Sequence, residues 1–228
     1  MPSPTWAGTH CATKISTNLD DYVFFLSKDE APHGCFSNAY RYRENNGHHA
    51  SSSSSSPSAS KAADGDVTSP CPTNPSFWCV NQELHYRKSL LFKDHDIARQ
   101  ILAEQNDANK IKALGRMVRD YDDAVWCEAR YDICLNALHA KFSQNPELKR
   151  ILLETGTKVI VEAAKDKVWG IGHVEFTTSS ENGIDGRVLL GAKNKETGGW
   201  DVKPKDWMGG NLLGRCLMDV RKSLASAS

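Results

Sequence analysis

The chain has 228 residues, 39% of them hydrophobic, and its 28 lysines and arginines are balanced by 28 acidic residues. That length suits one domain with or without unstructured segments. Zero net charge argues against a general electrostatic grip on nucleic acid, which needs clustered excess basic charge, and leaves open only a local basic groove.

Seven cysteines, at 11, 35, 71, 79, 127, 134 and 216, are odd in number and scattered, which is not a disulfide framework. None sits in a C-x-x-C pair, so no structural zinc site is expected. They are read as reduced thiols of a cytosolic or nuclear protein. The run "YVFFL", Tyr22 to Leu26, is too short for a signal core or a membrane span.

In chain order, residues 1–19 are expected to form a disordered tail. "DYVFFLS", Asp21 to Ser27, is a buried strand by its aromatic and β-branched content. "APHGCFSNAY" is a loop punctuated by Pro32, Gly34 and Asn38. Residues 44–76, rich in Ser, Gly, Asn and Pro, cannot bury enough apolar surface to offset ordering and are expected to be a low-complexity insertion within one domain at 20–225.

Helices follow. "VNQELHYRKSLLF" places Leu84, Lys88 and Leu91 at neighbouring helical positions. "HDIARQILAEQ" lines up Ile97, Ile101 and Leu102, and "DANKIKALGRMV" lines up Ile111, Leu114 and Val118. A long helix is expected from about Asp123 to Phe142, with Trp126, Ile133, Ala137 and Phe142 near one stripe. In "NPELKRILLETG" Asn145 is the N-cap, Pro146 opens the first turn and Gly156 ends the helix. "KVIVEAA" reads as a strand, and "NLLGRCLMDVRKSL" as a closing helix with Asn211 as its cap. The sum is a helix-rich α+β domain with a small β component and no βαβ alternation.

The stretch "KDKVWGIGH" stands apart. Gly170 and Gly172 cost backbone entropy in a regular element and suit a sharp turn or a close approach to the backbone. Asp166 and Trp169 beside them suit either a site for a small planar ligand or a tight turn around a packed indole.

Taken together, "CFSNAY", "KSLLFKD", "ALGRMV", "AKFSQNPELKRILLETG", "IVEAAKDKVWGIG" and "GGNLLGRCLMDVR" resemble, in order and spacing, the NADAR proteins, also called YbiA-like. The resemblance covers most of residues 21–225. It implies an N-glycosidase that cleaves the bond between ribose C1′ and a nitrogen. Implied substrates are ADP-ribosyl-guanine, free or in nucleic acid, or phosphoribosylamino-pyrimidine intermediates of riboflavin synthesis. It implies no cofactor, no metal and no membrane partner.

Hydrolysis of such a bond builds positive charge on the sugar, so it calls for a carboxylate and a donor to the leaving nitrogen. Asp166 is the first candidate carboxylate; its alternative is to cap the turn before Trp169. Trp169 would stack on a base or pack in the core. Gly170 and Gly172 would admit a ligand or only shape the turn. Asn211 would bind ribose or cap its helix, whose N–H groups in "GGNLLG" would suit a phosphate. Ser37 and Asn38 would hold ribose hydroxyls or close an Asx-turn. Lys88 and Arg116 would meet phosphates or face solvent. Glu162 would orient the site or form an ion pair. One departure matters. Relatives carry a catalytic glutamate seven residues before the lysine matching Lys88, and Asn81 stands there. An amide cannot carry a proton or a negative charge. Glu83 lies about 200° round a helix from Asn81 and could substitute only if the helix began after it or were distorted. A catalytically silent ADP-ribose-binding module is therefore the second reading.

Overall fold

The computed structural model describes residues 19–43, 71–72, 75–172 and 207–227. The expected tail and most of the expected insertion lie outside these residues. The chain divides into two compact units, Met1–Tyr40 with Tyr131–Ser228, and Arg41–Arg130.

In the first unit, strands β1 (Tyr22–Phe25) and β2 (Val159–Glu162) pair in parallel, with Tyr22 opposite Val159 and Phe25 opposite Glu162. Both are short and mostly buried, as expected for a sheet covered on both faces. One face carries Tyr22, Phe24, Val159 and Val161, packed with Ala163, Ile171 and Trp207. On the other, Phe25 meets Phe36 edge-on at 5.7 Å, and Phe36 meets Phe142 at 6.1 Å. This strict alternation follows from the two-residue period of a strand.

Three helices follow one another here: the C-terminal part of α4 (Asp123–Ser143), α5 (Pro146–Glu154) and α6 (Leu212–Ser226). The α4 stripe turns out to be Cys134, Ala137, Leu138, Lys141 and Phe142, all fully buried, while Ile133 is only half-buried. α5 stops at Gly156, whose φ of +57° is the left-handed turn that glycine adopts most readily. The Thr155 hydroxyl donates to the Leu152 carbonyl in the last turn of α5, and the half-buried Arg221 of α6 donates in turn to Thr155 Oγ1 at 2.7 Å and to the Lys158 carbonyl, beyond the helix, at 2.8 Å. Asn145 and Asn211 stand at the expected N-cap positions of α5 and α6, but neither side chain makes a cap hydrogen bond. The Asn145 Nδ2 donates instead to the Lys141 carbonyl at 2.5 Å.

The second unit holds α1 (Val80–Leu91), α2 (His95–Ala103), α3 (Ala108–Arg116) and the start of α4. Its core joins Phe77, Trp78, Tyr86, Ile97, Ile101 and Ile111. Leu91, expected on the buried face of α1, is 38% exposed, because α1 instead buries Val80, Leu84, Tyr86 and Ser89. Gln82 is fully buried and acts as a stitch. Its Nε2 donates to the Ile101, Leu102 and Glu104 carbonyls at 3.1, 3.3 and 2.8 Å, and its Oε1 accepts from Trp78 N at 3.1 Å. The orphan carbonyls at the end of α2 are thus satisfied by a side chain of α1.

α1 ends in a Schellman turn: Asp94 N donates to the Ser89 carbonyl and Lys93 N to the Leu90 carbonyl, with Lys93 at φ +58°. Asp94 then caps α2 through Ile97 N and receives Arg119 N, Nε and a terminal guanidinium nitrogen at 2.9, 3.1 and 2.7 Å. Arg119 holds the Asp94 carboxyl well below the usual carboxylate range. Among the described residues no helix is long and apolar enough to cross a membrane.

The depressed carboxyl sets a pH dependence. A group whose folded pKa is lowered stabilises the fold above its unfolded value, about 3.9 for Asp, and loses that contribution as pH falls below it. Asp94→Asn keeps a capping oxygen and removes the charge. It is expected to cost about 1.5–3 kcal/mol at pH 7 in urea unfolding. The gap to wild type should shrink steadily below about pH 4.

Candidate functional site

In "KDKVWGIG" the Asp166 Oδ1 accepts from Val168 N at 2.7 Å and from Trp169 N at 2.8 Å, and Gly170 N donates to the Asp166 carbonyl at 3.1 Å. The aspartate therefore builds the turn. Its side chain is exposed, and Oδ2 takes no hydrogen bond from the described residues. The turn uses one carboxylate oxygen and leaves the other. Trp169 is half-buried beside it.

The two glycines answer to a backbone, and it is the protein's own. Residues 209–213 run against residues 167–171. Gly209 N donates to Ile171 O, Gly210 N to Lys167 O, Asn211 N to Gly170 O, Leu212 N to Val168 O and Leu213 N to Trp169 O, all within 2.8–3.1 Å. A Cβ on Gly170 would stand 2.8 Å from the Ala164 carbonyl oxygen, and one on Gly172, at φ +72°, 2.9 Å from Gly209 N. The expected phosphate cradle in "GGNLLG" is corrected by the same contacts. The N–H groups at the start of α6 are already spent on carbonyls.

Asn211 is buried at φ +47° and works as a staple. Its Oδ1 accepts from Glu162 N and its Nδ2 donates to the Ile160 carbonyl, both at 2.9 Å. This ties the start of α6 to β2. Gly214 permits the approach, since its Cβ would lie 2.1 Å from Ile160 O. Glu162, half-buried, closes β2 next to this staple.

Ser37 ends a short 3₁₀ turn at His33–Phe36; its Oγ accepts from Ala39 N at 3.2 Å. The expected turn-forming side chain is thus Ser37 rather than Asn38. Asn38 is 8% exposed, and its Oδ1 is buried without a donor among the described residues. A residue absent from the sequence-based candidates enters here: Lys141 of α4 donates from Nζ to the Ser37 carbonyl at 3.1 Å.

In the second unit, α1 begins at Val80, before both Asn81 and Glu83. The first condition under which Glu83 could replace Asn81, a helix beginning after it, is therefore not met, and on a regular helix the two side chains leave α1 on different faces. Asn81 is 3% exposed, and its Nδ2 donor has no acceptor among the described residues. Glu83 sits 3.5 Å from Arg87, and burial raises its proton affinity against the pull of Arg87 and Arg43.

Lys88 does not face solvent. Its Nζ donates to the Gly115 carbonyl at 2.8 Å and lies 4.2 Å from the Tyr121 ring and 5.6 Å from the Trp126 ring. Burial lowers its pKa. His85 packs on Gly115, where a Cβ would meet its Nδ1 at 2.2 Å. Burial, with the charges of Lys88, Lys112 and Arg116, lowers the His85 pKa to about 4, so its ring is neutral near pH 7. Arg116, in the last turn of α3, is exposed.

Comparison with known proteins places this geometry. The NADAR domain matches residues 24–225. The chain belongs to the NADAR family. It is 36% identical over 144 residues to "N-glycosidase R617" of Acanthamoeba polyphaga mimivirus, covering 63% of this chain and 72% of that one. It is 33% identical over 151 residues to "Protein irg-1" of Caenorhabditis elegans, covering 65% of this chain and 61% of that one. The NMR structure of YbiA from Escherichia coli shares the fold, with a TM-score of 0.54 at 20% identity over 100% of this chain and 95% of that one.

Within this NADAR domain several of the motif residues build scaffold. Gly115, Asn211, Gly214 and Arg221 all hold elements in place, as does Gln82 outside the motifs. What the scaffold leaves chemically available is shorter: the second oxygen of Asp166, the indole of Trp169, the orphan acceptor of Asn38, the orphan donor of Asn81 and the carboxyl of Glu83.

Gly209→Ala tests the interlock. Its Cβ would stand 2.4 Å from Gly170 O and 2.6 Å from Gly172 N, both backbone atoms that cannot rotate away. The variant is expected to lose about 2–3 kcal/mol in urea unfolding. Gly156→Ala, with no atom within 4 Å of the new Cβ and only its φ of +57° to strain, should lose about 1 kcal/mol.

Proposed function

We propose that this chain is an N-glycosidase that hydrolyses the bond between ribose C1′ and a nitrogen of a nucleotide-type substrate. ADP-ribosyl-guanine, free or in nucleic acid, and phosphoribosylamino-pyrimidines are the substrate classes. Family membership and the mimivirus relative named as an N-glycosidase support the reaction class. The observation that carries the reading is Asp166, whose carboxylate is aimed by two backbone N–H bonds on one oxygen while the side chain stays exposed beside Trp169.

In this reaction water adds to C1′ as the C1′–N bond breaks. One hydrogen of the water stays on the new sugar hydroxyl and the other ends on the departing nitrogen. The sugar passes through an oxocarbenium-like state. A fixed carboxylate lowers the barrier because it is oriented before the charge appears. Asp166 takes this role, either facing the sugar cation or drawing a proton from water. Trp169 supplies a flat face for the base or a wall for the sugar, and Ser37 and Asn38 supply hydroxyl contacts. Lys88 and Arg116 are the phosphate contacts of this reading. Glu83 is the second carboxyl group, and its tightened proton suits a donor rather than a base. Glu162 and Asn211 act by holding β2 and α6. The compartment is cytosolic or nuclear.

One observation favours a second reading. Asn81 is an amide where the family's glutamate is expected, which fits a module that binds ADP-ribose without cleaving it. Incubation with ADP-ribosylated guanosine and with a ribosylaminopyrimidine phosphate, followed by chromatography, separates the two. Released base with wild type, reduced 100-fold or more by Asp166→Asn, supports hydrolysis. Saturable binding with no product supports the binding module. Asn81→Glu is expected to raise turnover; an unchanged rate would remove Asn81 from the catalytic set.

A further inference from the structure

Lys141 is fully buried in α4. Taking an ammonium out of water costs several kcal/mol, and an apolar side chain of similar length would fill the place without that penalty. The cation is retained where it touches a specific loop. Its Nζ holds the Ser37 carbonyl at 3.1 Å and lies 5.3 Å from the ring centroids of both Tyr40 and Phe142. The carbonyl it holds is that of the peptide leading into Asn38. Seven residues earlier on α4, two turns along the same face, the Cys134 thiol meets the Asn38 amide. One face of α4 therefore grips the loop twice, once by backbone and once by side chain.

Between these grips lies Asn38 Oδ1, buried and without a donor among the described residues. A buried acceptor left unmade costs about 1–3 kcal/mol. A group held in place and so left is one that a ligand donor can satisfy. We propose that Lys141 is a positioning residue, fixing the Ser37–Asn38 peptide so that Asn38 Oδ1 accepts a hydrogen bond from a ribose hydroxyl of the substrate. This deepens the ribosyl-substrate reading above and rests on it.

The test is calorimetric titration of the whole chain with ADP-ribose, which needs no turnover, with guanine alone as the arm lacking a sugar hydroxyl. Asn38→Ala and Lys141→Met are each expected to weaken ADP-ribose binding tenfold or more. The double variant should be no weaker than the weaker single one, because both act through one hydrogen bond. A merely structural lysine would instead weaken binding independently of Asn38→Ala, so that the two losses add. Lys141→Gln, which keeps a donor without the charge, is the second variant should Lys141→Met fail to fold; weakened binding supports the proposal and wild-type affinity overturns it. Wild-type affinity in Asn38→Ala, additive losses in the double variant, or guanine competing for the same contact also overturn it. Failure of the wild type to bind ADP-ribose would overturn the ribosyl reading itself, so the two failures are told apart.

Discussion

Five backbone hydrogen bonds between residues 167–171 and 209–213 set the conditions for the rest of the first unit. A helix start exposes N–H groups that need acceptors. Here the acceptors are carbonyls of a turn that an aspartate has folded, so the turn caps the helix. Two consequences follow. The backbones must touch, which forces glycine at 172 and 209, while Gly170 is forced by the Ala164 and Glu162 carbonyls. And the turn cannot shift without unmaking the start of α6, so Asp166 and Trp169 are mounted on something rigid. Catalytic groups gain most from a mounting that costs no reorganisation when charge develops.

The same economy recurs elsewhere. Gln82 closes the end of α2 from α1, Arg221 of α6 holds the Thr155 hydroxyl and the Lys158 carbonyl between α5 and β2, and Asn211 ties α6 to β2. Each of these polar side chains satisfies a backbone group outside its own element. Buried polar groups so paired are not a liability, and they fix which elements lie together more strictly than apolar packing does. They also explain why residues that look like chemistry in the sequence are so often architecture in the fold.

The amphipathic helices were legible in the residues. Ile111 and Leu114 of α3, and Val118 just beyond its end, all prove buried, because apolar spacing alone decides that face. The α1 face and the α4 stripe came out shifted, since neither helix is cleanly two-sided. Asn145 and Asn211 take their expected cap positions without the cap bond: the Asn211 oxygen accepts from Glu162 N instead, a partner 49 residues away that no local pattern could announce. Lys88 was open between a phosphate contact and solvent, and Lys141 drew no attention in the sequence. Their acceptors lie 27 and 104 residues away, so no local pattern could announce them. Of the candidate site, the Asp166 turn and its neighbour Trp169 were visible as an anomaly, a cluster too expensive for plain structure. The glycines were visible too, though the backbone they admit is the chain's own.

Asn81 sharpens the chemical question rather than blurring it. A buried amide whose donor finds no acceptor among the described residues is costly to keep. Packing alone would favour an apolar residue at that position. An amide offers a hydrogen bond and withholds both charge and proton, so it suits an acceptor on a ligand, such as a base carbonyl or ring nitrogen, and cannot activate water. A carboxylate is offered elsewhere: Asp166 keeps one oxygen fixed by two backbone N–H groups on an exposed side chain, while Glu83 leans on Arg87 in α1.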